Sequence, residues 1–252
     1  LTGTARGGQA VASVAGAALK KSTLELGGND AFLVLRDADL AKLKATIAPS
    51  RLYNAGQVCT SSKRYLVPAE MADQFTAMVK EVFEQVKMGD PLDRSTTLAP
   101  LSSKRAKEKL QSQVDRAIAG GATLVYGNQP VDLEGQFFMP TILTNITKDN
   151  PVYDEELFGP VAQIFTYQTE EEAIAMANDS AFGLGSTVFG ADIAHARQVA
   201  SQIEAGMTWI NAGWASLPEL PFGGVKQSGY GRELSEFGFT EFVNQHLVYE
   251  AE

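Results

Sequence analysis

Apolar positions along this chain switch repeatedly between a helical period and short continuous runs, and the switching predicts an alternation of helices and strands. Val11, Val14, Ala15 and Ala18 recur at i, i+3, i+4 and i+7 and predict a helix after Thr4. Ala31 to Leu35 is a short apolar run read as a buried strand, and Asp37 to Asp39 offers a cap for a helix reaching about Tyr53. Arg64 to Val67 reads as a strand ended by Pro68. Phe75, Met78, Val79, Val82, Phe83 and Val86 share one face of a helix that stops at Gly89-Asp90-Pro91. Ser102 or Ser103 caps the next helix, which ends at Gly120-Gly121 before a strand over Leu124 to Tyr126. A polar stretch follows, and then strand Ala162 to Tyr167, helix Glu170 to Asn178, strand Ser186 to Phe189, helix Ile193 to Glu204 and strand Met207 to Asn211. Such alternation implies an α/β fold with a mostly parallel sheet. The tail, Phe242 to Tyr249, reads either as an edge strand pairing with another subunit or as a strand on the chain's own sheet.

Composition narrows the chemistry. At 252 residues the chain is one large domain or two small ones. Its 21 basic and 30 acidic residues give a net charge of −9, which argues against nucleic-acid partners and a polybasic membrane patch. One cysteine excludes an internal disulfide and a cysteine-cluster metal site, and His195 and His246 leave little for a histidine-based metal site or triad. No metal is therefore expected. No apolar run approaches the roughly 20 residues that span a bilayer, and no signal peptide is evident, so a cytoplasmic location is expected. The chain begins at Leu1, directly before Thr2-Gly3-Thr4, which predicts that further sequence precedes it.

The single thiol, Cys59, lies in the connection Asn54 to Arg64. An isolated cysteine is most often a small buried hydrophobe. A connection, however, concentrates functional groups, hydroxyl and amide donors follow it, and Lys63 and Arg64 are cations that would favour thiolate. With histidine so scarce, a carboxylate is the better base. Glu25 interrupts an apolar stretch and is followed by Gly27-Gly28. It reads either as an outward-facing strand position or as a functional carboxylate beside a close backbone approach. Gly229-Tyr230-Gly231 begins a dinucleotide fingerprint but has Leu at position 234 and no leading strand, so it is a decoy. Thr2-Gly3-Thr4 before a helix is a better contact for a phosphate or ribose.

Taken in order, these segments resemble the aldehyde dehydrogenase superfamily. Leu1 to Thr4 is similar to its F-T-G-S segment and Leu24 to Gly28 to its L-E-L-G-G motif. Gly56-Gln-Val-Cys59 resembles its G-Q-x-C motif, 34 positions after Glu25. Glu155 to Val161 resembles E-E-x-F-G-P, and Pro221 to Glu233 the C-terminal loop. The resemblance is to the C-terminal half of family members only. It implies a three-layer catalytic domain, with residues 1–27 a remnant of the dinucleotide-binding domain, 28–235 the catalytic domain and 236–252 an oligomerisation tail. It also implies NAD or NADP as cofactor, a small aldehyde as substrate, and a homodimer or homotetramer at full length. Cys59 would be the nucleophile, with its backbone N–H in the oxyanion hole, and Glu25 the general base. Gly3, Thr4, Leu26, Glu156 and Phe158 would contact the cofactor, with Glu156 on the nicotinamide ribose.

Within the family, the wording of Gly16 to Lys21 and of Gly223 to Ser228 is most similar to bacterial members acting on succinate semialdehyde. Many of those carry Arg immediately before the Asn of the nucleophile loop. Here that position is Tyr53, with Arg51 two residues earlier, which leaves the substrate open between succinate semialdehyde and another small aldehyde. Phe222 would line the aldehyde pocket, and Tyr53 falls in it by position. Two other classes stay open: a non-oxidative cysteine acyl transferase or esterase using Cys59 and Glu25, and a non-catalytic oligomerisation fragment. The chain alone is expected to bind cofactor poorly and to turn over slowly or not at all.

Overall fold

A computed structural model describes residues 1–252. Helix α1 (Ala5–Ala17) starts where the Thr4 hydroxyl accepts the Gly7 N–H. Its predicted apolar stripe is not core: Val14 is 72% exposed, and Gly8 is the helix's one buried residue. Periodicity identified the helix correctly but could not say what covers it. Strand β1 (Leu24–Glu25) follows, then β2 (Ala31–Val34), buried on both faces. Asp39 caps α2 (Leu40–Arg51) by accepting the N–H groups of Ala41 and Lys42. After a tight turn at Tyr53–Gly56 come β3 (Arg64–Pro68), α3 (Ala72–Glu84) and α4 (Lys104–Ala119), the last capped by Ser103.

The second half of the chain continues the alternation with β4 (Thr123–Tyr126), β5 (Thr141–Thr144), β6 (Val161–Tyr167) and α5 (Glu170–Asn178). Then come β7 (Phe182–Gly183), β8 (Gly185–Phe189), α6 (Ile193–Ala200) and β9 (Met207–Ile210). The short strands β10 (Val225–Lys226) and β11 (Gly229–Tyr230) and helix α7 (Ser235–Thr240) close the chain. Strand β5 is absent from the sequence reading, and α6 stops four residues before the predicted Glu204. Residues 242–252 form no strand and join no sheet of this chain, so the tail is not a strand on its own sheet. No helix is long and apolar enough to cross a membrane.

Seven strands form one sheet in the order β4-β5-β6-β3-β2-β8-β9, antiparallel at β4 and parallel elsewhere. The order reverses at the centre, and a contiguous core of 41 buried apolar residues packs around the sheet. The motif-bearing loops all enter this sheet from one end. Gly27-Gly28 precedes β2, Cys59 precedes β3, Glu155 to Pro160 precedes β6, and Phe182 precedes β8. Parallel strands put all these loops at their N-terminal ends, opposite the edge where open α/β sheets ordinarily bind ligands.

Those loops are held together by a side chain from the end of α2. Arg51 is fully buried, and its guanidinium donates to the carbonyls of Gly56 (3.3 Å), Leu157 (2.9 Å), Gly159 and Val161 (2.6 Å) and to the Ser61 hydroxyl (2.7 Å). Burial pushes this guanidinium down to about 10, yet it remains charged at neutral pH. So committed, it cannot serve as an anchor for a substrate carboxylate. The loop it holds packs without room for a side chain at Gly56, which has φ +73° and lies against the Gly159 carbonyl. Replacing Arg51 by Met keeps the apolar stem but removes the guanidinium and strands these acceptors, so it should cost about 3 kcal/mol. Urea unfolding would read this as a lower midpoint with an unchanged slope; an unchanged midpoint would contradict the clamp.

Candidate active site

The turn that presents Cys59 begins with Asn54 and Ala55 at φ 50° and 54°, followed by Gly56, three successive residues in the left-handed region. Asn54 offsets part of the strain by exchanging hydrogen bonds with Gln57: each side-chain amide donates to the other's carbonyl at 3.1 Å. The turn delivers Cys59 to the wall of a cavity of about 860 Å³. Gly3, Thr4, Leu26, Glu156 and Phe158 line the same cavity, so six of the predicted site residues converge there. Gln113 and Phe182 also line it and were not singled out from the sequence. Gln113 carries no motif signal, but its amide donates to Glu155 and to the Glu156 carbonyl, holding that loop in place.

Three predicted residues lie outside the cavity wall. Strand β1 pairs with β11 so that Glu25 faces Gly229 in register. Side chains alternate along an extended segment. Leu26 therefore points into the cavity and Glu25 to the other side, where its carboxylate packs against Gly223. The outward-facing reading of Glu25 fails: the residue is buried, and neither carboxylate oxygen has a hydrogen-bond partner. Phe222 belongs to the same side, its backbone bridged to Glu233 by reciprocal bonds of 2.8 and 2.7 Å. Tyr53 is exposed and meets Trp214 edge-on, with ring centroids 5.5 Å apart. Within the decoy, Gly229 and Tyr230 form the strand paired with Leu24–Glu25, and no helix opens there.

Gly28 joins the pieces. A side chain there would meet the Cys59 carbonyl oxygen at 2.5 Å, and its N–H donates to Glu156 Oε1 at 3.0 Å. Glycine is required at this crossing because two other chain segments touch its backbone. Segment Leu24 to Gly28 thus carries Glu25 and Leu26 past the thiol, with the cavity on one side and the Phe222–Gly223 loop on the other.

Electrostatics set the resting state. Burial raises the Cys59 thiol, with Asp30 and Glu156 adding to the effect, while Lys63 and the Thr60 N–H pull it down. The expected help from Arg64 is absent, because its guanidinium turns away to the carbonyls of Asn29, Met176 and Ala177. Cys59 therefore rests as a thiol, not a thiolate. Glu25 is pushed up to about 7 by burial and by Glu233, against the opposing charge of Arg232. His195 is on the far element α6, paired with Glu170 at 2.8 Å, and takes no part.

A half-buried thiol on a cavity wall and a carboxylate raised to about 7 on the other side of the Leu24 to Gly28 segment thus meet on an α/β scaffold. A profile of the aldehyde dehydrogenase family matches residues 1–248, and the chain belongs to that family. It is 48% identical over 248 residues to a succinate-semialdehyde dehydrogenase [NADP(+)] of Deinococcus radiodurans, covering 98% of this chain and 52% of the relative. It is 44% identical to the succinate semialdehyde dehydrogenase [NAD(P)+] Sad of Escherichia coli, over 99% of this chain and 54% of the relative. Among solved structures, a Streptococcus pyogenes succinic semialdehyde dehydrogenase with NADP+ superposes with TM-score 0.99 at 56% identity, covering all of this chain and 55% of that one. A Staphylococcus aureus betaine aldehyde dehydrogenase with NAD+ gives 0.93 at 35% identity, over 96% of this chain and 49% of that one. The chain spans about half the length of the relatives it matches.

The site makes a direct prediction about its thiol. Without added nucleotide, alkylation of Cys59 by iodoacetamide should rise with pH through a midpoint above that of free cysteine, because the proton must leave a half-buried sulfur beside two carboxylates. A midpoint below free cysteine would contradict this balance of burial and charge.

Proposed function

We propose that this chain carries the thiol and the base of an NAD(P)-dependent aldehyde dehydrogenase of the length of its relatives, with succinate semialdehyde as the substrate. The observation that carries the proposal is the convergence of Cys59 with Gly3, Thr4, Leu26, Glu156 and Phe158 on one cavity. Its volume falls in the range of small-molecule sites, roughly 300–1,000 Å³. Nothing lies within 4 Å of the Cβ position of Gly3, leaving backbone open to a ligand at the start of α1. Glu156 is partly exposed and suited to accept ribose hydroxyls, while Leu26 and Phe158 offer apolar contact to a flat ring. These residues fit a nicotinamide nucleotide, which when bound supplies the hydride acceptor.

The chain's own residues account for the remaining steps. Cys59 Sγ gives its proton to water and adds to the aldehyde carbon as the C=O π electrons pass to oxygen, giving a tetrahedral thiohemiacetal alkoxide. The oxygen that becomes anionic needs donors, and the Cys59 backbone N–H makes no hydrogen bond within the chain, which leaves it free for that role. Oxidation leaves a thioester on Cys59. Glu25, tuned near 7, takes a proton from the water that hydrolyses it, reaching the thiol side by rotating away from Gly223. Phe222, on the Glu25 side, lines the approach of the aldehyde. Tyr53 lies at an exposed aromatic pair with Trp214, which supports a role only at the mouth of that approach. The exposed apolar groups of the tail, Phe242, Leu247, Val248 and Tyr249, support an interface with a second copy.

Relatives named for succinate semialdehyde favour that substrate over other small aldehydes. An esterase reading would need no nucleotide, and the nucleotide-sized cavity beside Cys59 speaks against it. The test uses an enzyme of full length with succinate semialdehyde and NADP+. Wild-type turnover should rise with pH through about 7 as Glu25 loses its proton. Glu25→Gln should give one burst of NADPH per active site, a much lower steady-state rate and no limb near 7. An unchanged steady-state rate in Glu25→Gln would overturn the base assignment.

A further inference from the structure

Lys63 is the one buried lysine of the chain, with no exposed surface. A buried ammonium is costly unless its protons and its charge are both met. The protons are met by three carbonyls of the nucleophile turn: Val58 at 3.0 Å, Cys59 at 2.7 Å and Ser61 at 3.2 Å. The charge is met by Glu156, whose Oε1 lies 3.4 Å away and also accepts the Gly28 N–H. A second carboxylate, that of buried Asp30, packs between Gly28 and Gly185 without a hydrogen-bond partner and shares the same charge environment. An apolar side chain in this volume would leave three carbonyls and a carboxylate without their common partner, so the ammonium does more than fill space.

We propose that Lys63 is a positioning residue, whose ammonium fixes the Cys59 turn and the Glu156 carboxylate as one unit beneath the cavity. The placement of Glu156 toward a nucleotide rests on the function proposed above. Once the tie is cut, Glu156 is free to swing on the cavity wall, and the carbonyls of the turn lose their common donor. The same cation favours ionisation of Cys59, whereas Glu156 and Asp30 oppose it. Arg6, Lys109, Asp154 and Glu155 are the other charged residues that line the cavity.

The test pairs two variants of the full-length enzyme, each checked by thermal melting. Lys63→Met should weaken NADP+ binding roughly tenfold, the effect of losing a hydrogen-bonded charge partner, and move the pH midpoint of Cys59 alkylation upward. Glu156→Gln should move that midpoint downward, since it removes a negative neighbour and leaves the lysine in place. A purely space-filling Lys63 leaves the Lys63→Met midpoint where it is in the wild type. A folded Lys63→Met with wild-type binding and midpoint overturns the proposal. If Lys63→Met does not fold, Lys63→Gln, which keeps a donor but not the charge, takes its place, and a wild-type midpoint and wild-type NADP+ binding in that variant overturn the proposal. Alkylation, read on the Cys59 peptide, needs neither aldehyde nor nucleotide. Unmoved midpoints therefore refute the role of Lys63, whereas moved midpoints without aldehyde turnover refute only the dehydrogenase reading.

Discussion

The guanidinium of Arg51 is the constraint on which the site is built. Loops entering a parallel sheet from its N-terminal edge have no ladder to hold them against one another. Their backbone carbonyls must find donors or remain unpaired in the interior. Arg51 supplies a rigid fork of donors and spends it on carbonyls from two loops, the Cys59 turn and the Leu157 to Val161 segment. Lys63 repeats the device one layer closer to the thiol. The two cations do with side chains what hydrogen-bonded strands do elsewhere in the fold.

This arrangement has an electrostatic consequence. The interior near Cys59 holds two cations whose hydrogen bonds go mainly to neutral carbonyls, alongside Asp30 and Glu25, carboxyl groups pushed up to about 7. Raised carboxyl pKa values mean that the folded chain binds these protons more tightly than the unfolded chain. The stability they contribute is complete at acidic pH and is lost as pH rises through 7. Glu25 has no hydrogen-bond partner and abuts Gly223, where a side chain would collide with it. A group held this loosely, in a place this expensive, is suited to move and to exchange a proton.

Part of the candidate site was legible in the sequence, since six of the residues singled out there line one cavity. A lone thiol in a connection, a carboxylate amid apolar neighbours and paired glycines each admit an ordinary structural reading, and only their order along the chain carries the resemblance. The clamps were not legible. Arg51 ends a helix and Lys63 follows a run of hydroxyl residues, both common positions for solvated cations, and their carbonyl partners have no side-chain signature. Arg64 was misjudged for a related reason, since sequence adjacency to Cys59 does not fix which way a guanidinium turns. Strand β5, four residues after Pro140, is too short for a periodicity to register. Val11 and Val14 show the converse limit: an apolar stripe identifies a helix face, but the covering surface has to come from elsewhere.

The central claim is that Cys59 becomes covalently acylated during aldehyde oxidation, with Glu25 on the path that releases the acyl group. The most direct measurement is peptide mass spectrometry of a full-length Glu25→Gln enzyme quenched after mixing with succinate semialdehyde and NADP+. The expected result is a succinyl increment on the peptide containing Cys59, absent when NADP+ is omitted. An unmodified Cys59 peptide from an enzyme that has formed NADPH, or a succinyl group on another residue, would contradict it.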